Sequence, residues 1–313
     1  MNIKMSEKSW TIRNYQRRDF ENYLQLHTVA EKQDQSGHPV SRQLLAEALE
    51  HPSFHPENDL FMAEADQNLI GYASVFLEPG IGRALLGGLV HPLYRRKGVA
   101  TDLFGYAAGQ VRAAGIGVVQ ISIVESNQAA KKFLSGVGLR FLRHFIGYKL
   151  DLTAFQLPDI SPGKYVFRSL QPGEEEDLTA IQNRSFAETW GFNANTREEI
   201  TYRINSSSCT PENVIMVYVG DRPIAYCWTR VFQAGGSARG EKKGEIHMLG
   251  VDPDFRKQSI GTKVLMAGLA YLKHQGVGLV ELTADGEMPA ALALYESAGF
   301  ERYLKVEWYE KKL

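Results

Sequence analysis

The chain has 313 residues, 44% hydrophobic and 23% charged, with a formal net charge of -1; that length fits two domains, each able to bury a core. The near-zero charge excludes a broad electrostatic grip on nucleic acid or on an anionic membrane. Cys209 and Cys227 lack metal-ligand spacing, no apolar run reaches the length of a membrane span, and the opening MNIKMSEKSW has no signal-peptide core, so a cytoplasmic setting with free thiols and no metal is expected.

The first half opens with a strand over Trp10–Tyr15. Helical patterns follow over Asp19–Glu31 and Arg42–Glu50, then strands over Leu60–Glu64, Leu69–Leu77 and Ala84–Val90. A basic turn, Arg95–Ala100, leads into a helix with Val99, Leu103, Phe104, Ala107 and Val111 on one face, stopping near Gly115. A strand over Val118–Val124, a short helix from Asn127 to Gly136 or Gly138, and a strand over Phe145–Leu150 complete this half. Leu152–Gly163, with Pro158 and Pro162, reads as a linker.

The second half repeats the order. A strand spans Tyr165–Leu170, helices lie near Glu174–Glu188 and Arg197–Asn205, and strands span Val214–Val219 and Ile224–Phe232. The Gly- and Ser-rich stretch Gln233–Lys243 reads as a mobile connection. The strand ending at Val251 meets Asp252-Pro253, then a second basic turn, Arg256–Gly261. Its helix places Ile260, Val264, Leu265, Gly268 and Leu272 on one face, with Gly276 at the C-terminal cap. Strand Leu279–Thr283, helix Ala290–Ser297 and strand Tyr303–Tyr309 end the chain.

The halves are copies. Val90 and Val251 stand 161 residues apart, and the same offset pairs Arg95 with Arg256, Thr101 with Thr262, Gly115 with Gly276, Ala130 with Ala291 and Gly138 with Gly299. Each copy reads as a mixed α/β domain, α+β in class, with a mostly antiparallel sheet flanked by helices. A basic turn at the mouth of a helix suits a phosphate or pyrophosphate, because free N–H groups and the positive end of the helix dipole converge there.

These residues resemble the GNAT acetyltransferase superfamily. Arg95-Arg96-Lys97-Gly98-Val99-Ala100 is similar to its Arg/Gln-x-x-Gly-x-Gly/Ala loop, and Arg256-Lys257-Gln258-Ser259-Ile260-Gly261 departs from it only at Ser259. Ala290–Phe300 resembles its Ala-x-x-Leu-Tyr-x-x-x-Gly-Phe signature, and Ser185–Phe192 is similar to a segment of tandem-domain members. The resemblance covers nearly the whole chain. It implies two GNAT-like acyl-CoA N-acyltransferase domains, 1–151 and 164–313, joined by 152–163.

The resemblance further implies acetyl-CoA as donor and the primary amine of a small molecule or peptide as acceptor. Backbone N–H groups of Arg95–Thr101 and Arg256–Thr262 would hold the pyrophosphate. Leu249, Gly250 and Val251, and likewise Gly88, Leu89 and Val90, would face the thioester and pantetheine, with Gly250 suited to a bulge. Glu245 takes the general-base position and Tyr295 the general-acid position; His247, two residues on, shares the side of Glu245 in an ideal strand. Ser259 resists a left-handed backbone, and its hydroxyl suits a helix cap.

Ala84 and Leu134 occupy the Glu245 and Tyr295 positions of the first copy, and Met288 stands where that copy has Asn127. The C-terminal half is therefore expected to catalyse and the N-terminal half to be degenerate. Glu188, Trp190, Phe192 and Asp285 are candidates for the acceptor pocket, as is Gln233–Lys243. A monomer is favoured over a homodimer, since fused copies replace one. The competing class is a non-catalytic acyl-CoA sensor.

Overall fold

The computed structural model describes residues 9–34, 41–159, 161–233 and 242–313. The chain forms two compact units, Met1–Ile123 with Asn127–Leu142 and Tyr309–Leu313, and Val124–Ser126 with Arg143–Trp308.

In the first unit, β1 (Thr11–Asn14) pairs antiparallel with β2 (Leu60–Ala65), β2 with β3 (Asn68–Glu78), and β3 with β4 (Arg83–Val90). Helices α1 (Phe20–Asp34), α2 (Arg42–Leu49) and α3 (Pro56–Asp59) precede β2. The short α3 is absent from the sequence reading, because four residues carry too little periodicity to register. β4 pairs in parallel with β5 (Val118–Val124) across the crossover helix α4 (Val99–Ala113). Val99, Leu103, Ala107 and Val111 of α4 are buried against Ala84 and Val119 of the sheet, as their helical spacing predicts. Helix α5 (Gln128–Gly136) begins at Asn127, whose side chain accepts a hydrogen bond from Ala130 N–H at 3.0 Å.

β6 (Arg140–Asp151) closes the first copy in sequence. Its larger part, from Arg143, packs within the second unit, antiparallel to β11 (Val277–Asp285), from Leu279↔Asp151 to Asp285↔Phe145. Conversely the last five residues belong to the first unit, where Leu313 N–H donates to Gly117 O at 2.8 Å. They close β12 (Glu301–Lys312), which follows α9 (Pro289–Ser297).

The rest of the second unit repeats the first. β7 (Val166–Ser169), β8 (Val214–Val219), β9 (Arg222–Gln233) and β10 (Lys242–Val251) pair antiparallel in succession, and β10 meets β11 in parallel. Helices α6 (Glu175–Phe186) and α7 (Arg197–Ile204) precede β8, and α8 (Ile260–His274) makes the crossover. Of the connection expected over Gln233–Lys243, residues 234–241 lie outside the described residues; Gln233 ends β9, and Lys242 and Lys243 begin β10.

Alternation along β9 sorts two cores. Ala225 and Cys227 join the core of α8, with Val264, Leu265, Leu269 and Leu272. Tyr226 and Trp228 join the core of α6 and α7, with Leu178, Ile181 and Ile200. Each such leucine or valine contributes about 1.5–3 kcal/mol gross on burial.

α8 reaches the sheet so closely because residue 268 is glycine: a β-carbon there would collide with Cys227 Sγ. Gly268→Val should cost about 2–3 kcal/mol in urea denaturation, since overpacking outweighs any gain in helix propensity. Adding Cys227→Ala should restore part of it. A Gly268→Val protein as stable as the parent would contradict this packing.

Candidate active site

The site is built where two parallel strands part. β10 and β11 pair from Lys242↔Val277 to Glu245↔Glu281, and there the pairing ends. β10 continues to Val251, held on its other edge by β9, while β11 continues to Asp285 along β6. The N–H and C=O groups of β10 that face β11 beyond Glu245 therefore lose their sheet partner. The first unit parts in the same way after Leu85↔Gln120.

Within β10 the register with β9 steps from Ile246↔Thr229 to Met248↔Trp228, so His247 is an extra, bulged residue. The bulge was expected at Gly250. Gly250 has a different reason to be glycine: a β-carbon there would lie 2.5 Å from Tyr226 Cε1 and 2.9 Å from Ser185 Cβ.

Glu245 lies opposite Arg230 of β9, with Oε2 3.9 Å from Arg230 Nη1 and Oε1 3.9 Å from His247 Nδ1. The His247 ring stands edge-on to Trp228 at 5.1 Å. Glu245 keeps 35% of its side chain exposed, so it can meet a ligand. Burial pushes its carboxyl up, but His247, Arg230 and Lys243 outweigh that and hold it below the ordinary value. Burial holds the His247 imidazole down, only partly opposed by Glu245. At neutral pH the pair is thus a carboxylate beside a neutral imidazole, and both can accept a proton.

Tyr295 is buried on α9, against the rings of Tyr148 at 6.0 Å and Phe300 at 5.9 Å. Burial, then Cys227, raises its phenol, which therefore stays a proton donor. Its neighbour Leu294 faces Gly261 in the first turn of α8, where a β-carbon would be 3.7 Å from Leu294 Cδ2.

The two basic turns share one backbone shape. Arg96 and Lys257 are left-handed, φ 63° and 61°, and so are the residues before each helix, Gly98 at 98° and Ser259 at 57°. Ser259 accepts the strained conformation at a cost of about 1 kcal/mol. It makes no side-chain cap bond, contrary to the expected hydroxyl cap, because a left-handed N-cap does not present the side chain to the helix. The first intrahelical bond of α8 is Lys263 N–H to Ser259 O, so the N–H groups of Ile260, Gly261 and Thr262 are available to an anion.

The leading arginine of each turn is occupied. Arg95 Nε donates to Val90 O at 3.1 Å and its guanidinium grips Asp34; Arg256 Nε donates to Val251 O at 3.3 Å and Nη2 to Ser185 O at 2.7 Å. Asp252, 1% exposed, anchors the same corner: it accepts from Asp254 N–H, from Arg184 at 2.8 Å and from Arg222 at 2.8 Å.

The bulge changes the comparison of the copies. Glu245 lies between Arg230 and Glu281; in the first unit the residue facing Phe76 and Gln120 in that way is Leu85, one later than Ala84. β4 has no register shift against β3, so an offset carried back past His247 miscounts by one. Leu134 is buried with Leu139 and Tyr309. Neither copied position carries a proton-transfer group.

Among the pocket candidates, Asp285 is buried and accepts from Arg143 Nη1 at 2.6 Å, so it is not free for a cationic amine. Arg143 also lies 4.1 Å above the Trp190 ring, which meets Phe145 and Trp308. Phe192 packs on Phe186 at 5.6 Å, and Glu188 is exposed. Nothing in the sequence marks Arg230 or Tyr226 for the site: the β9–β10 register sets them beside Glu245 and Gly250, and α6 brings Ser185 to Gly250.

Among the described residues no group of His, Cys, Asp and Glu is placed to hold a metal, and no helix is long and apolar enough to cross a membrane. A family profile described as acetyltransferase (GNAT) family matches residues 11–139 and 176–300. A mycothiol acetyltransferase of Sanguibacter keddieii is 30% identical over 284 residues, 88% of this chain and 87% of that protein. One of Arthrobacter sp. is 27% identical, over 86% of this chain and 80% of that protein. A GCN5-related N-acetyltransferase from Sphaerobacter thermophilus superposes with a TM-score of 0.74 at 20% identity, over 98% and 96% of the two chains. A tandem GNAT protein from the clavulanic acid pathway gives 0.73 at 18%, over 97% and 98%.

Asp252 offers a test of the corner that holds the second turn. Burial pushes its carboxyl up, but Arg184, Arg222 and the Asp254 N–H hold it below the ordinary value. Such a depressed acid stabilises the fold above its unfolded pKa of about 3.9, and the contribution is lost as pH falls through the lower folded value. Asp252→Asn should cost about 1–3 kcal/mol in urea denaturation at pH 7, and the gap to the parent should narrow below about pH 4. A gap that persists at low pH would contradict the ionic role.

Proposed function

The chain belongs to the GNAT acetyltransferase family and is an acyltransferase that takes its acetyl group from acetyl-CoA; on that premise we propose that the half spanning 164–313 transfers the acetyl group to a primary amine by direct attack. The half spanning 1–151, joined through 152–163, is a degenerate copy. The observation that carries this is the parting of β10 from β11 at Glu245, an ionised carboxylate at the mouth of the gap.

Acetyl-CoA lies with its pyrophosphate on the N–H groups of Ile260, Gly261 and Thr262 and its pantetheine along Leu249–Val251. The side chain of Arg256 shapes the turn rather than gripping phosphate. An alkylammonium with a pKa near about 10.4 is neutral in fewer than about one molecule in 10³ at pH 7. Glu245, with His247 beside it, takes the ammonium proton. The amine attacks the thioester carbon, and the oxyanion is met by backbone N–H groups of Leu249–Val251. The C–S bond breaks and Tyr295 protonates the leaving thiolate; the attacking nitrogen gives up its second proton, which restores the phenol, and an amide and free CoA result. The Glu245 proton returns to solvent as the next amine enters.

The narrower reading, a mycothiol synthase, rests on the relative at 30% identity over most of both chains. Release of free thiol from acetyl-CoA over an amine panel that includes the desacetyl form of mycothiol tests both readings together. No thiol release with any acceptor would favour a sensor.

Glu245→Gln and Tyr295→Phe should each lower kcat by about 10²-fold or more, with both proteins folded. Mirror variants separate the halves. A glutamate in the first turn of a helix suits the fold but repels a pyrophosphate. Thr262→Glu should raise the KM for acetyl-CoA about tenfold or more, and Thr101→Glu should leave kcat and KM as they are. The reverse pattern would move catalysis to the first half.

A further inference from the structure

Gly250 faces Tyr226 across the β9–β10 pair, and the tyrosine ring leans over the glycine where a side chain would collide with it. Ser185, in the last turn of α6, closes on the same spot, its Oγ 2.9 Å from the β-carbon position. Tyr226 is fully buried and Ser185 nearly so. Neither hydroxyl has a hydrogen-bond partner among the described residues, and neither does Gln182 Oε1, one turn earlier on α6.

A buried hydroxyl without a partner costs about 1–3 kcal/mol. Packing does not require one at position 226, where phenylalanine fills the same space. Two such hydroxyls on the residues that crowd one glycine, on the stretch of β10 that has left β11, point to a ligand atom as the missing partner. Burial, then Cys227 and Tyr295, pushes the Tyr226 phenol well up, which keeps it a donor. The nearby charges have partners of their own: the Arg256 guanidinium donates to Ser185 O and Val251 O, and the Glu245 carboxylate lies 3.9 Å from Arg230.

We propose that the Tyr226 hydroxyl, seconded by that of Ser185, donates a hydrogen bond to the acyl carbonyl oxygen of the bound thioester, adding a side-chain donor to the backbone N–H groups of Leu249–Val251. It rests on the reading that the second half holds the thioester along β10. Gly250 is then glycine so that the phenol can cross the strand to the acyl group.

Tyr226→Phe is the test, with three readouts. The kcat should fall about 10–10²-fold with the KM for acetyl-CoA within about twofold. The melting temperature of the free protein should rise, because an unpaired buried hydroxyl has been removed. By calorimetry, the parent should bind the acetonyl-dethia analogue of acetyl-CoA more tightly than CoA, since CH2 in place of sulfur leaves the carbonyl but nothing to transfer. Tyr226→Phe should lose that preference. If Tyr226→Phe does not fold, Ser185→Ala carries the same readouts with smaller effects. An unchanged kcat and preference, or a loss accompanied by a lower melting temperature, overturns the proposal. Glu245→Gln in the same assay separates the layers: if it alone loses turnover, only the Tyr226 role fails, and if neither does, the reading beneath fails.

Discussion

A parallel strand pair that stops pairing halfway is the constraint on which the site depends. β10 cannot end at Glu245, because β9 holds it to Val251 and the basic turn must follow. Its free edge therefore faces a gap rather than a neighbour, and backbone groups left there need a partner that the fold does not supply. A thin extended ligand with its own amides fits that need. The bulge at His247 adds one residue just beyond the parting point, with the imidazole Nδ1 3.9 Å from the Glu245 carboxylate.

Electrostatics gives Glu245 and Tyr295 different proton states. Glu245 is kept ionised by His247, Arg230 and Lys243 although burial opposes it, and Tyr295 is kept protonated by burial among aromatic rings. On the proposed reading, such a separation suits a base for amine deprotonation and an acid for thiolate protonation. The duplicated half keeps the parting strands and the left-handed turn but has Leu85 and Leu134 in place of those groups.

Much of this was legible in the sequence because it is local. The basic turns, the helix that follows each, and Tyr295 in its signature are contiguous stretches whose spacing carries their meaning. What was hidden is non-local. A one-residue bulge leaves no trace in an alternating pattern, so the sequence offset points to Ala84 rather than Leu85 and suits a bulge to Gly250 rather than His247. The ownership of β6 depends on which strand it pairs with, and closing strands of two copies look alike in sequence. Asp285 carries no sign of its partner in sequence, because Arg143 lies 142 residues away in the chain.

The account is tested most directly by a crystal structure of the protein with the acetonyl-dethia analogue of acetyl-CoA. It predicts the pantetheine in the gap between β10 and β11, the pyrophosphate on the N–H groups of residues 260–262, and the analogue's carbonyl on the Glu245 face of β10. A ligand bound elsewhere, with β10 and β11 closed over an empty gap, would contradict it.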